Sequence, residues 1–241
     1  MLYFFPQVTT NMSIIMTTKT TTYKIEHTLK TNSYTLTIQN GSTHEIYKSI
    51  SETNLLSNVF FDDTNNVNVE TIMFTAEKVK PLSVLLKEGK LTNQQIIKMI
   101  YDLSKQIAYL EINLMSFYGY NLDDILVIND NTFFIASTKH LVSINAKDYY
   151  IYFYKPIIKT YFSSPELNEL TKLPAKIDYR SSYYSLGALI LYCSTNIYIF
   201  SELIEGKREE HFLDIINYTK PYWFLKRCFN EDCKKRILLF I

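Results

Sequence analysis

The spacing of apolar residues changes near Pro81, and this change constrains the fold more than any other feature of the chain. Before it, Ser33 to Gln39 alternates polar and apolar residues, as a strand with one buried face does. After it, an apolar stripe with helical spacing runs from Ile96 to Leu110, preceded by a capping box formed by Thr92 and Gln95. The sequence therefore predicts an α+β chain whose small β-rich part precedes a larger helical part.

A hairpin is predicted where Asn40-Gly41 follows the first alternating run, because this pair favours a two-residue turn. Thr43 to Ile50 is then expected to return as a strand beside Ser33 to Gln39. Residues 137–165 show no clean period. The other predicted strands are Met12 to Met16, Tyr23 to Glu26, Glu70 to Thr75, Ile125 to Ile128 and Thr132 to Ala136, and the other predicted helices are Leu82 to Leu86, Tyr183 to Tyr192, Glu209 to Tyr218 and Tyr222 to Phe229.

Composition excludes several classes of function. The formal net charge is +1, so there is no strong field to attract nucleic acid or an acidic membrane surface. The four histidines are scattered and the three cysteines have no C-x-x-C spacing, which indicates neither a zinc site nor a disulfide framework. No apolar window is long enough to span a bilayer. We expect a soluble cytoplasmic protein that holds no metal.

The composition also indicates what kind of genome encodes the chain. Only five glycines occur beside twenty tyrosines and many Ile, Asn and Lys residues. An A/T-rich genome, such as that of a large DNA virus, tends to encode this bias. In the viral case the expected location is the cytoplasm of the host cell.

The run from Phe117 to Val127 aligns without a gap with a protein-kinase catalytic loop of the form H-R-D-L-K-P-E-N-I-L-V. Five other segments resemble parts of a kinase and follow in the same order as in kinases. Ile72 to Glu77 resembles the strand before the hinge, and Pro81 to Gly89 the helix after it. Tyr161 to Glu166 resembles the end of the activation segment, Tyr184 to Tyr192 the central helix of the large lobe, and Phe224 to Ile237 the penultimate helix with its terminal Arg. The chain thus resembles a degenerate member of the protein kinase superfamily.

The resemblance implies a two-lobed kinase-like fold. A flexible lead-in would occupy residues 1–20, a reduced β-rich N-lobe residues 21–79, and a mainly helical C-lobe residues 80–241. It also implies an ion pair between Glu166, which ends the activation segment, and Arg236, which follows the penultimate helix.

Departures from the family pattern indicate a pseudokinase, a kinase-like protein without catalysis. Gly119 stands where the family has its catalytic Asp, and Ala136 stands where it has the metal-binding Asp of D-F-G. The loop between the first two strands, His27 to Asn32, has no glycine to close over phosphates. No residue is therefore predicted to be catalytic.

Two positions could retain a vestige of the nucleotide site. Lys48 falls in the place of the phosphate-binding lysine, and Asp124 in that of the metal-binding Asn. The plainer interpretations are an exposed strand lysine and, for Asp123-Asp124, a turn before a strand. We expect no cofactor. The alternatives are a divergent nucleotide-binding transferase that uses ATP and Mg²⁺ through Lys48 and Asp124, and a scaffold that senses ATP without turnover.

A pseudokinase works by binding, so a partner surface is expected. Tyr149, Tyr150 and Tyr152 belong to an aromatic stretch in the activation-segment region, and tyrosines are common at protein interfaces. The alternative interpretation is a buried strand. The expected partner is a protein, such as a true kinase or a kinase substrate, and neither nucleic acid nor a membrane.

Overall fold

The computed structural model of the chain describes residues 23–39, 43–56, 59–62, 69–199 and 213–239. Within these ranges the chain forms a mixed α+β fold, which confirms the predicted class. The helices are α1 (Thr43–Glu52), α2 (Leu82–Glu88), α3 (Asn93–Ile112), α4 (Pro165–Asn168), α5 (Ser181–Thr195) and α6 (Lys220–Cys228). The strands are β1 (Tyr23–His27), β2 (Ser33–Gln39), β3 (Phe60–Asp62), β4 (Val69–Thr75), β5 (Val79–Pro81), β6 (Met115–Phe117), β7 (Ile125–Ile128), β8 (Thr132–Ile135), β9 (Leu141–Ser143), β10 (Tyr150–Phe153) and β11 (Ala175–Asp178).

The first four strands form one antiparallel sheet in the order β1-β2-β4-β3. All seven residues of β2 pair with β4, and Leu36 lies opposite Ile72 with both side chains fully buried. The alternating pattern of β2 therefore has the origin that the sequence predicted, a strand with one face in the core. The predicted strand at Met12 to Met16 and the lead-in at 1–20 lie outside the described residues.

The predicted return strand at Thr43 to Ile50, and with it the hairpin at Asn40-Gly41, is wrong, because these residues form α1. A period of two would place Ile46, Lys48 and Ile50 on one face. The helix instead buries Ile46, Tyr47 and Ile50 together and leaves Lys48 exposed. The Tyr47 hydroxyl accepts a hydrogen bond of 2.7 Å from the main-chain N–H of Ile38, which fastens α1 to β2.

Helix α3 lies at the centre of the fold and begins at the predicted capping box of Thr92 and Gln95. Its buried polar residues bind the edge of β8. Gln106 accepts from the N–H of Ile135 at 2.7 Å and donates to the carbonyl of the same residue at 3.0 Å. The Gln106 amide also donates to Ser49 of α1 at 3.0 Å. One side chain thus joins α1, α3 and β8.

The predicted hairpin of β7 and β8 is confirmed, and β5 pairs on the other side of β7. The segment 137–165, for which no element was predicted, contains β9 and β10. Strand β9 pairs with β6, and β10 pairs with β11. Strands of three or four residues are too short to give a clear period of two.

Helices α5 and α6 confirm two further predictions and pack closely on each other. Gly187 of α5 lies so near α6 that an added Cβ would be 2.9 Å from Cβ of Cys228 and 3.0 Å from the Phe229 ring. Only glycine allows this approach. Of the helix predicted at Glu209 to Tyr218, the part before residue 213 lies outside the described residues, and Asp214–Ile216 is a short 3₁₀ turn.

One hydrophobic core runs from the first sheet through α3 to α5 and α6, and a smaller one lies beneath β10 and β11. The division into lobes at residues 79 and 80 falls within β5 and stays a prediction. None of the helices in the described part of the chain is long and apolar enough to cross a membrane.

Replacing Gln106 by Leu should lower the free energy of unfolding by about 3 kcal/mol, because it leaves the buried N–H and C=O of Ile135 without partners. The measurement is urea unfolding followed by circular dichroism. Gln94→Leu, at an exposed position of the same helix, is the matched control and should change stability by less than about 0.5 kcal/mol. Equal effects of the two substitutions would contradict this role of Gln106.

Candidate functional site

The segment that resembles a catalytic loop lies between β6 and β7 and contains a 3₁₀ turn at Leu122–Asp124. The main-chain N–H of Ala136, just after β8, donates to the carbonyl of Asp124 at 2.9 Å. The β7–β8 hairpin therefore holds this turn in place. The turn forms one wall of a cleft of about 320 Å³, which is lined by Ser83, Asn121, Leu122, Asp123, Asp124, Lys139, Tyr161, Phe162 and Tyr198.

The carboxylate of Asp124 is almost fully buried at the inner side of this cleft. Its Oδ2 accepts a hydrogen bond of 3.0 Å from the Asn121 amide and lies 3.7 Å from Nε2 of His140. Burial raises the pKa of Asp124, and hydrogen bonds from Asn121 and Ser137 oppose that rise. A carboxylate held in this way has little freedom to turn toward a ligand.

His140 is the buried neighbour that sequence reasoning missed. Its Nε2 lies 2.9 Å from the Asn121 amide nitrogen, so the ring accepts this hydrogen bond when it is neutral. Burial, together with the charge of Lys139, lowers the pKa of His140 from 6.5 to about 4. The imidazole is therefore uncharged at neutral pH. No motif spacing in the sequence marks this histidine.

Asp123 ties the turn to the rest of the fold. The Ser83 hydroxyl of α2 donates to its Oδ1, and the Tyr23 hydroxyl of β1 donates to its main-chain carbonyl. Burial, and then the charges of Asp124 and Asp123, raise the pKa of Tyr23, which therefore stays protonated as a donor. The first strand of the chain is thereby attached to the wall of the cleft.

Gly119 offers the cleft no functional group. A Cβ added at this position would lie 3.3 Å from the Thr160 methyl group and 3.5 Å from the Thr160 hydroxyl. The space next to Gly119 is therefore filled by the segment that precedes α4. At the D-F-G position, Ala136 is fully buried and carries no carboxylate.

The structure does not bring Lys48 to Asp124. Lys48 lies on the exposed face of α1 and is not among the residues that line the cleft. The expectation that Lys48 occupies a strand is wrong, since β2 is followed by a helix after only three residues. Its role in binding phosphate stays a prediction. Lys139, which the sequence analysis did not single out, is the cation that lines the cleft in the described part of the chain.

Glu166 and Arg236 are joined by two hydrogen bonds, of 3.0 and 2.6 Å, as the resemblance implies. Arg236 is 3% exposed, and its Nε donates to the carbonyl of Asn230 at 2.9 Å. Its guanidinium also lies 5.1 Å from the centre of the Tyr184 ring. This one side chain connects α4, α5 and the segment after α6.

The aromatic stretch around β10 is both a strand with buried residues and a partly exposed surface, the two interpretations that the sequence left open. Ile151 and Phe153 are buried beneath the strand, whereas Tyr149 and Tyr152 are 55% and 37% exposed. Tyr150 is half-buried. The Tyr152 hydroxyl donates to Asp148, and the ammonium group of Lys176 lies 4.4 Å from the centre of the Tyr150 ring.

Within the described ranges, no group of three or more His, Cys, Asp or Glu side chains is placed to hold a metal ion. Neither the known protein-family models nor the curated proteins include a match to this chain.

Relative to His140→Gln, the wild-type protein should lose stability below pH 6.5, because His140 takes up a proton more readily in the unfolded chain than in the folded one. Since the pKa of His140 is lowered on folding, its contribution to stability is complete above pH 6.5 and is lost as the pH falls toward 4. At pH 5 the contribution of His140, taken as the difference between the two proteins, should have fallen by about 2 kcal/mol, measured by urea unfolding at several pH values.

The variant His140→Gln keeps an acceptor for Asn121 and should lack this part of the acid dependence. His27→Gln, at an exposed position, is the control and should follow the wild-type curve. A His140→Gln curve parallel to that of the wild type would refute the role of His140.

Proposed function

We propose that this chain is a catalytically inactive, kinase-like protein that acts as a protein-binding scaffold or regulator. The observation that carries the proposal is the position of the Thr160 side chain, whose methyl group would lie 3.3 Å from a Cβ at residue 119, so that another segment fills the space where the catalytic base would stand. A positioned general base contributes roughly 10²- to 10⁴-fold to a rate. Phosphoryl transfer also depends on metal-bound carboxylates, and Ala136 supplies none.

The order of elements supports a kinase-like fold with an N-lobe at 21–79 and a C-lobe at 80–241. A kinase carries its phosphate-binding lysine on the third strand, ahead of the helix that supplies its glutamate partner. Here β2 pairs directly with β4, and α1 takes the place of that helix. On this proposal, the strand that carries the phosphate-binding lysine in kinases has been lost from this chain, as has the glycine-rich loop.

The Glu166–Arg236 pair and the buried helix α5 favour the same proposal. In kinases such a pair holds the end of the activation segment against the large lobe. Keeping this pair while losing the catalytic groups is what a binding protein requires, since a binding surface needs an ordered backbone but no base. The unbridged thiols of Cys193, Cys228 and Cys233 suit the cytoplasm, that of the host if the source is a virus.

The proposed partner surface is the outer face of β10, formed by Tyr149, Tyr150 and Tyr152. Tyr154 extends this surface, since it is 75% exposed and stacks on Tyr152 with ring centres 6.5 Å apart. Rigid, half-exposed tyrosines contribute contact area at a small cost in side-chain entropy. The proposed partner is a protein, such as a true kinase or a kinase substrate.

The alternative is a divergent nucleotide-binding transferase. Lys139 and Asp123 line the same cleft and could contact a nucleotide and its cation. The alternative now depends on Lys139, because Lys48 points away on α1.

Millimolar ATP with Mg²⁺ should raise the unfolding midpoint by less than about 1 °C, measured by differential scanning calorimetry. A nucleotide at a hundred times its dissociation constant would add about 2.7 kcal/mol, or roughly 5–11 °C. Transfer of labelled phosphate should be absent in the wild type and in Gly119→Asp, with an active kinase as the positive control. A Mg²⁺-dependent rise that Lys139→Gln removes would establish the alternative.

Tyr152→Ser should change the free energy of unfolding by about 1 kcal/mol or less, whereas Ile151→Ser should cost more than about 3 kcal/mol. The reason is that Tyr152 faces outward and Ile151 is fully buried in the same strand. Thermal unfolding of both variants is the measurement. Equal losses would mark Tyr152 as part of the core and remove it from the proposed partner surface.

A further inference from the structure

A second cleft, of about 340 Å³, lies between the end of α3, the start of α5 and the chain after α6. No step of the proposed function uses it. Its polar lining comes from Glu111, Tyr179, Arg180, Tyr183, Lys234 and Arg236. Three of these six residues are cationic, which is a large share for one small cleft.

Arg180 is the cation that is prepared to receive a ligand. Its Nη1 donates to the main-chain carbonyl of Lys234 at 2.8 Å, and its guanidinium lies 5.2 Å from the centre of the Tyr179 ring. Arg180 also donates a hydrogen bond to the Tyr179 side chain. Together these contacts hold the guanidinium in place and leave some of its five N–H donors for a ligand. Arg236, in contrast, directs its guanidinium to Glu166 and Asn230, so that its charge is already offset.

Glu111 contributes a carboxyl group with one satisfied oxygen. Its Oε2 accepts a hydrogen bond of 2.8 Å from the Tyr183 hydroxyl. Its Oε1 is buried and has no hydrogen-bond partner among the described residues. Burial raises the pKa of Glu111 to about 7, against the opposing effects of Tyr183 and Arg180. The carboxyl therefore holds its proton to a higher pH than an exposed glutamate does.

We propose that this cleft binds a tetrahedral oxyanion of the sulfate or phosphate type, with Arg180 as the principal cation. Lys234 adds a second positive charge to the lining. The proposal stands independently of the kinase-like function.

Anion binding and proton uptake by Glu111 are then coupled, because an ionised carboxylate would repel the anion. The groups around Glu111 are Tyr179, Arg180 and Tyr183 at the start of α5, Tyr120 from the loop after β6, and Lys234 and Arg236 from the chain after α6. Burial raises the pKa of Tyr120 and Tyr183, so both stay neutral. Glu111 is thus the group that titrates between pH 6 and pH 8.

Equilibrium dialysis with radiolabelled sulfate, at constant ionic strength, tests the proposal on the full chain. Sulfate keeps the same charge from pH 6 to pH 8, so any change in affinity comes from the protein. The wild type should bind about tenfold more weakly at pH 8 than at pH 6. Glu111→Gln, which is neutral at both values, should bind equally at both.

Arg180→Gln should lose binding at both pH values, and Lys226→Gln, at an exposed position of α6, is the matched control that should bind as the wild type does. Circular dichroism of each variant verifies the fold, and Arg180→Lys serves if Arg180→Gln does not fold. Displacement of sulfate by inorganic phosphate or by O-phosphoserine distinguishes a free anion from a phosphorylated side chain. Absence of saturable binding, or equal binding by the wild type and Arg180→Gln, would overturn the proposal.

Discussion

The fold depends on how the open edge of β8 is satisfied. An edge strand presents unpaired N–H and C=O groups, and burying them without partners costs about 1–3 kcal/mol each. Helix α3 supplies the partners from two residues one turn apart. Asp102 accepts from the N–H of Phe133 at 3.1 Å, and Gln106 pairs with both main-chain groups of Ile135. The central helix thereby acts as the missing neighbour strand.

This constraint positions the cleft. Since β8 is held by α3, the hairpin of β7 and β8 can fix the turn at Leu122–Asp124, and Tyr23 and Ser83 then attach the first sheet and α2 to that turn. The cleft is consequently rigid on the side that carries Asp123 and Asp124.

The periodic segments predicted α2, α3 with its capping box, α5, α6 and the strands of the first sheet except β3. The short strands β7 and β8 were predicted from two apolar runs on either side of Asn129-Asp130-Asn131. The prediction failed at α1, because Ile46 and Ile50 fit the period of a strand as well as that of a helix. The burial of Tyr47 and the exposure of Lys48 distinguish the helix from the strand. The sequence also placed Glu166 with Arg236, because both belong to recognisable segments. The place of His140 beside Asp124 could not be predicted, since it depends on burial and on a hydrogen bond from Asn121, nineteen residues away in sequence.

The ion pair of Glu166 and Arg236 has a consequence for the time at which the chain becomes ordered. The partners are 70 residues apart. A ribosome that adds roughly 5–20 residues per second makes Arg236 some 4–14 s after Glu166. During that interval α4 exists without the ion pair that connects it to the segment after α6, and the Glu166 carboxylate stays hydrated until Arg236 has been made.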